Sequence, residues 1–582
     1  MESRSVGVLP MIALAAAFAI AMPGCGGSSG SPASSAGGGS GAGGGGGGDG
    51  GTPDGGTMTG GAPTTDGGSG TGGGTPTNGG TTSANPSSSS GSCPGTPCPA
   101  GQECQSDGTC AAPIESADGG IAACTSEDVK PVGDSALLGN AAPQAYVITN
   151  RERHTVGEVM SFVVPQGTAS ITIVEQAIKA PNTVTWVTGG SSLQLNNTAV
   201  PHTVNSPDGS ISFNHVRDGQ LLLPDYTGLP VYFFSVAPVT GTLTIPNTTK
   251  GLSLVGATGL PGGTWTAQIS DYAYQCAAGI AQGLVFDSCS GGASDSMYDV
   301  TVIAKPTSGG IPGSGTLDVV LNLVATTVDG QPLNASAAPA DSDVQRMVQT
   351  LQALYAKQSI TVNVTYQDAP PTVQQRYASG VNIDQTGACS DLSQLFTTGV
   401  TGKNVLNIFL VPTLVETTTT GRVMTVGIDG TIPGPASIGG TVASGAVVSA
   451  ADLRSGKSGC GSTLNVTGCG ADETAYIIAH EAGHFLGLYH LTEKYGFEFD
   501  PLAGTPTCKC TSCSRNSANC FNPLTQSAPS ATSDAVTVSE CLSPITGCGG
   551  GDNLMFWLIA TGSVGNLVDE QGQVMRANPA IH

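Results

Sequence analysis

The sequence predicts a multidomain chain that ends in an α/β domain of mixed sheet and helices. Ahead of it come a disordered Gly-rich tether, a small Cys-rich module and a β-sandwich-like domain. Three observations carry this. The chain has 86 glycines, with most of the excess before residue 92. From about 125 to 305 the apolar residues recur with period two. After about residue 306 strand-like and helix-like patterns alternate.

At the N-terminus, "MESRSVGVLPMIALAAAFAIAMPGCGG" places one Arg before an apolar run from Met11 to Met22. The run is too short to span a bilayer and reads as an export signal over 1–25. Its end, Met22-Pro23-Gly24-Cys25, resembles a bacterial lipobox. Either Cys25 is lipidated, giving an envelope (outer-membrane) lipoprotein whose only membrane contact is that anchor, or the signal is cleaved and the chain is secreted. Residues 26–92 are almost wholly Gly, Ser, Thr, Pro and Ala, with no apolar period from which a core could form. They read as a flexible tether.

The segment 93–124 holds Cys93, Cys98, Cys104 and Cys110, with Cys124 at its end. So small a piece needs crosslinks. The chain has 17 cysteines, and setting Cys25 aside leaves an even number, as a disulfide framework in an exported protein requires. A zinc knuckle is the alternative, but no histidine lies nearby.

Between 125 and 305, "SITIV", "TVTWV", "VYFFSV", "TLTI" and "TWTAQI" alternate small polar with β-branched or aromatic residues, and "PDG" and "LPGG" separate them. Many short strands point to a β-sandwich. Cys276 and Cys289 are candidates for a local bridge. His154, His202 and His215 are scattered and read as exposed or packed.

From 306 to 582 the pattern is strand ("TLDVVLNLVA"), helix ("DSDVQRMVQTLQALYAKQ"), strand ("ITVNVTY"), short helix ("CSDLSQLF"), buried strand ("NVLNIFLV") and a long helix. Val344, Met347, Val348, Leu351, Leu354 and Tyr355 form one stripe of the first helix. Charged residues make up only 10% of the chain and the net charge is −23. Phosphate binding needs a basic face, so nucleic acid is not an expected partner. The sequence sets no oligomeric state.

The long helix carries "HEAGHFLGLYH", three of the chain's 7 histidines within eleven residues. His480 and His484 are four apart, so both imidazoles project from one face. That spacing suits two ligands of one tetrahedral zinc. Glu481 can act as general base on a metal-bound water. Gly487 stands where the helix must end and the chain turn, and His490 follows as the third ligand.

With His480, Glu481, His484, Gly487 and His490 in place, the sequence resembles the metzincin clan of zinc peptidases. "GHFLGLYH", "DPLAGTPTC", "NLM" and a closing "EQGQVMR" look most like its pappalysin (cytophagalysin-like) group, over roughly 315–582. The resemblance implies an α/β catalytic domain with an active-site helix and a methionine turn. Met555, 65 residues after His490 in "GDNLMFW", fits that turn. Trp557 stands where several members have a tyrosine; an indole can donate a hydrogen bond but cannot ligate zinc. The implied activity is hydrolysis of protein or peptide substrates by a zinc-activated water with Glu481 as base. The implied cofactors are one catalytic Zn²⁺ and, in some relatives, a structural Ca²⁺. Asp500 is a candidate calcium ligand, with a solvated carboxylate as the plainer reading.

In the clan the substrate lies along an edge strand, and "SGAVVSA" (444–450) is the candidate. No zymogen switch is evident; Cys276 and Cys389 are candidate latency thiols or disulfide partners. Cys460 and Cys469 bracket a loop before the helix and read as a staple or as partners of the insert bearing Cys508, Cys510, Cys513, Cys520, Cys541 and Cys548. That insert reads as disulfide-bonded in preference to a second metal site. Two other readings remain. The chain could be a cell-surface adhesion or binding protein with a catalytically silent peptidase fold, or the β-rich domain could be a pro-region removed on activation.

Overall fold

The computed structural model describes residues 145–177, 240–271 and 297–582 nearly throughout, scattered strands between 178 and 296, and a few two-residue strands before 145. Within the last block, 384–389, 402, 416–424, 493–499, 509–512, 514–535 and 543–547 lie outside the described residues. So do Cys25, the tether up to residue 91, Cys389 and most of the module at 93–124. Residues 22–113 form a contact unit of their own, and everything below belongs to the other unit.

The β-rich domain is antiparallel in its two main sheets. Strands β1 (Tyr146–Thr155), β2 (Val159–Val164), β3 (Thr168–Ala177), β4 (Ala199–Asn205), β5 (Ser212–Asn214) and β6 (Thr240–Ile245) precede a short helix α1 (Thr249–Val255). β7 (Gly263–Asp271) and β8 (Met297–Pro306) follow. One sheet has the order β6-β3-β8-β1 and the other β5-β4-β7-β2. Their inner faces share one core: Met160, Phe162, Val204 and Trp265 from one sheet meet Ile171, Ile173, Leu243, Val300 and Val302 from the other. Period-two alternation produces this, because successive side chains point to opposite faces of a strand. Cys276 and Cys289 are register partners on adjacent antiparallel strands.

The second half is a mixed sheet with helices, as the alternating pattern requires. β9 (Gly315–Leu323) leads to α2 (Ser342–Ala356) and β10 (Ile360–Asp368). Then come α3 (Asp391–Phe396), β11 (Leu406–Val411), β12 (Gly427–Asp429), β13 (Ala446–Ser449), α4 (Gly470–Phe485) and α5 (Asp569–Ala577). The sheet order is β10-β9-β11-β13-β12. β9, β10, β11 and β13 run parallel, and β12 is antiparallel to β13 at the edge. β11 is buried along its whole length, as its unbroken apolar run suggests. The expectation that 444–450 is the edge strand is corrected here. β13 lies between β11 and β12, and the edge on that side of the sheet is the three-residue β12. The apolar "AVV" needs cover on both faces, which an interior position supplies.

α2 starts at Asp341, whose carboxylate accepts the N–H groups of Asp343 and Val344. Its stripe of Val344, Met347, Leu351, Leu354 and Tyr355 joins the core beneath α4. Arg346 on α2 donates from Nε and Nη2 to the two oxygens of Asp472, at 2.7 and 2.8 Å. Thr350 Oγ1 and the main-chain N–H of Asn465 complete that carboxylate's partners. Asp472 sits in the first turn of α4, so this cluster fixes the ligand-bearing helix at the end where negative charge is favoured. Cys460 and Cys469 are disulfide-bonded just ahead of that helix, and Cys508–Cys541 and Cys513–Cys548 crosslink the insert.

The two domains share more than a linker. Val442 and Ala443, from the turn between β12 and β13, lie in the sandwich core. Strand Phe234–Ser235 of the β-rich domain pairs with Thr431–Ile432. Among the described residues, no helix is long and apolar enough to cross a membrane.

Candidate metal centre

Helix α4 delivers two of the three histidines, and its C-terminus delivers the third. The helix ends in a Schellman motif. The N–H of Leu488 donates to the Gly483 carbonyl at 2.9 Å, and that of Gly487 to the His484 carbonyl at 2.8 Å. Gly487 has φ +103°, a region that glycine enters at little cost. The turn brings Leu488's own carbonyl back over the helix, where His484 Nδ1 donates to it at 2.7 Å. It also swings His490 back toward its two partners.

The three Nε2 atoms converge. His480 and His490 are 2.9 Å apart, His480 and His484 3.1 Å, and His484 and His490 3.2 Å. Two nitrogens held by one tetrahedral zinc, each at about 2.0–2.1 Å, lie about 3.3 Å apart. His480 Nδ1 donates to the Leu554 carbonyl at 2.6 Å. A carbonyl only accepts, so His480 and His484 both carry their proton on Nδ1 and turn Nε2 lone pairs inward. Two acceptors pointed at one spot repel each other unless a cation lies between them. These residues therefore fit a metal ion, and among the described residues no other cluster of His, Cys, Asp and Glu does. Burial holds the pKa values of His480 and His484 well below the usual imidazole range, and the neighbouring histidines add to the shift. Both are neutral at pH 7, the form that ligates.

Glu481 follows His480 on the helix and is fully buried, and among the described residues no side chain hydrogen-bonds its carboxylate. Burial pushes its pKa well above the usual carboxylate range, opposed slightly by the main chain at Asp429. The edge strand passes close by: a Cβ on Gly427 would lie 2.6 Å from Glu481 Oε1. Two residues along, Asp429 is a second buried carboxyl. Its pKa is raised by burial and then by the charge of Glu481. Asp429 was missed from sequence; only its place on the strand packed against α4 makes it visible.

Met555 is fully buried beneath α4, and a Cβ on Gly483 would come within 2.7 Å of its Sδ. Its loop is held from three sides. Asn553 Oδ1 accepts the N–H of Met555 at 2.9 Å. Gln571 on α5 accepts from Asn553 Nδ2 at 2.9 Å. Tyr476 on α4 donates to the Asn553 carbonyl at 3.0 Å.

The structure therefore brings together His480, Glu481, His484, Gly487, His490 and Met555. Trp557 points elsewhere. Its indole N–H donates to the Val536 carbonyl at 3.0 Å, and its ring packs with Leu491, Cys508, Cys513 and Cys541 in the insert. Asp500 accepts the N–H of Leu502 within its own turn.

No protein-family model matches this chain, and no curated protein matches it. Among solved structures it is matched to the YXIM protein of Bacillus subtilis at 10% identity and a TM-score of 0.11. That match covers 48% of this chain and 58% of the other.

Proposed function

We propose that this chain is an exported zinc endopeptidase of the metzincin type, most like the pappalysin group. The observation that carries the reading is the convergence of three Nε2 atoms within 3.2 Å, with the buried Glu481 next to His480 on the same helix. The glycine turn at 487, Met555 under the helix and an antiparallel edge strand beside Glu481 support it.

His480, His484 and His490 would hold the metal, which when bound would supply a Lewis acid and an acidified water. The chain's own groups set up the rest. The Leu554 and Leu488 carbonyls fix the ring tautomers, and such partners raise ligand basicity. Glu481 would take a proton from water and pass it to a leaving amine. Strand β12 offers the place where an extended peptide would align.

The rival reading, a surface binding protein with a silent site, draws on one observation. The three histidines and Glu481 are at most 3% exposed, so a peptide reaches them only when covering chain moves. One experiment separates the two. The purified chain is expected to bind one zinc and to cleave members of a peptide library, and Glu481→Gln to keep the zinc and lose cleavage. Absence of zinc binding refutes the metal reading. Zinc binding without cleavage by the wild type leaves the binding-protein reading in its place.

A further inference from the structure

The β-rich domain reaches the histidine cluster through the C-terminus of the chain. Lys305, on β8, is 4% exposed. Its Nζ donates to the carbonyls of Arg576 at 2.5 Å, Asn578 at 3.1 Å and Ile581 at 2.6 Å. An ammonium has three N–H donors and no acceptor, so the three carbonyls use it fully. Burial, with the Arg576 guanidinium nearby, draws its pKa down to about 7, and its charged form is the one that can donate to all three carbonyls. Beside it, Ser170 of β3 donates to the Ala577 carbonyl.

Those carbonyls close α5, and α5 grips the metal site. Gln571 holds Asn553. Asn553 shapes the turn at Met555, and the intervening Leu554 carbonyl orients His480. From the same turn, Asn578 Nδ2 donates to the carbonyl of Phe485, the last residue of α4. A second tie runs from α1, where Thr249 Oγ1 donates to Glu570 at 2.7 Å.

We propose that Lys305 is a positioning residue for the metal centre and that the β-rich domain is a permanent clamp on it, not a pro-region shed on activation. This rests on the reading above only in taking His480, His484 and His490 as a metal site. The shared core at Val442 and Ala443 agrees with it, since a shed domain would strip cover from the segment leading into β13.

The test uses the mature full-length chain and Zn²⁺ or Co²⁺ alone as probe. Lys305→Met keeps the length of the side chain and removes the donors. It is expected to stay folded, to hold zinc about 10-fold more weakly in chelator competition, the low end for loss of an outer-shell partner, and to change the visible spectrum of bound cobalt. A folded variant with wild-type zinc affinity and an unchanged cobalt spectrum overturns the proposal, because a purely structural lysine would lower only the melting temperature. If Lys305→Met does not fold, Ser170→Ala is read in the same way. A second arm does not depend on metal. A site-specific protease sequence placed in the exposed loop at 308–309 is cut after folding. The two pieces are expected to co-elute, and release of 310–582 as a separate folded species overturns the clamp. If the wild type binds no zinc, the metal reading has failed, and this arm alone decides whether the domains are clamped.

Discussion

Gly483→Ala sets two known effects against each other at the centre of the proposed site. In an ordinary exposed helix the change stabilises by about 1 kcal/mol, since alanine is the better helix former. Here the new methyl would lie 2.7 Å from Met555 Sδ and 3.3 Å from its Cε. Comfortable carbon contacts are about 3.5–4.0 Å, so the methionine must retreat by roughly 1 Å. Met555 is fully buried, and overpacking a closed core costs about 1–3 kcal/mol. The net expectation is a loss of about 0–2 kcal/mol.

Metal binding should register the change more clearly. The retreat moves the loop whose Leu554 carbonyl fixes His480, and disturbing such a partner weakens metal affinity about 10- to 100-fold. Chelator competition reads the affinity, and thermal denaturation reads the stability. Adding Met555→Ala should relieve the crowding, so a double-mutant cycle should show positive coupling between the two positions. If Gly483→Ala is more stable than wild type and holds zinc equally well, Met555 does not form the floor of the site.

Two further expectations follow from the same geometry. Trp557→Phe should cost about 1–2 kcal/mol by orphaning the Val536 carbonyl, yet leave zinc affinity unchanged; a matching loss of zinc would bring Trp557 into the site after all. The pH dependence of the metal-free protein carries two opposing contributions. Folded pKa values below the unfolded 6.5 mean that His480 and His484 contribute stability present above that pH and lost as pH falls through their folded values. Glu481, raised above 4.5, contributes stability present below that pH and lost as pH rises toward its folded value. Metal-free Glu481→Gln should therefore lose stability more steeply than metal-free wild type between about pH 6.5 and 4.5; denaturant midpoints in chelator, with equal slopes, would refute this.

Much of the site was legible because it is local. The i, i+4 histidines and the glycine three residues on are consequences of helix geometry, and the Schellman turn at Leu486–Leu488 follows from them. The helix at 342–356 was legible from its apolar stripe. The edge strand was not. β12 is three residues long and starts with glycine, so it has no pattern, whereas β13 looks like a strand from any viewpoint and was given the wrong place in the sheet. Gln571, Asn553 and Lys305 were equally hidden. Each acts through partners between 18 and about 276 residues away, and a lysine in "IAKP" looks like any surface lysine until its three carbonyls are in view. Trp557 was placed by analogy with a tyrosine, and its partner in the insert could not be read from spacing.

The bridged insert has a consequence for when the pocket becomes whole. The histidines come from one stretch of chain and the floor at Met555 from another, and the insert between them is closed by bridges spanning 33 and 35 residues. Each such closure removes roughly 3–4 kcal/mol of chain entropy from the unfolded state. While its cysteines are reduced the chain lacks that help, and the segment between His490 and Met555 is the least constrained part of the proposed site. Oxidation of the two pairs closes the insert and fixes the floor at Met555 relative to the histidines.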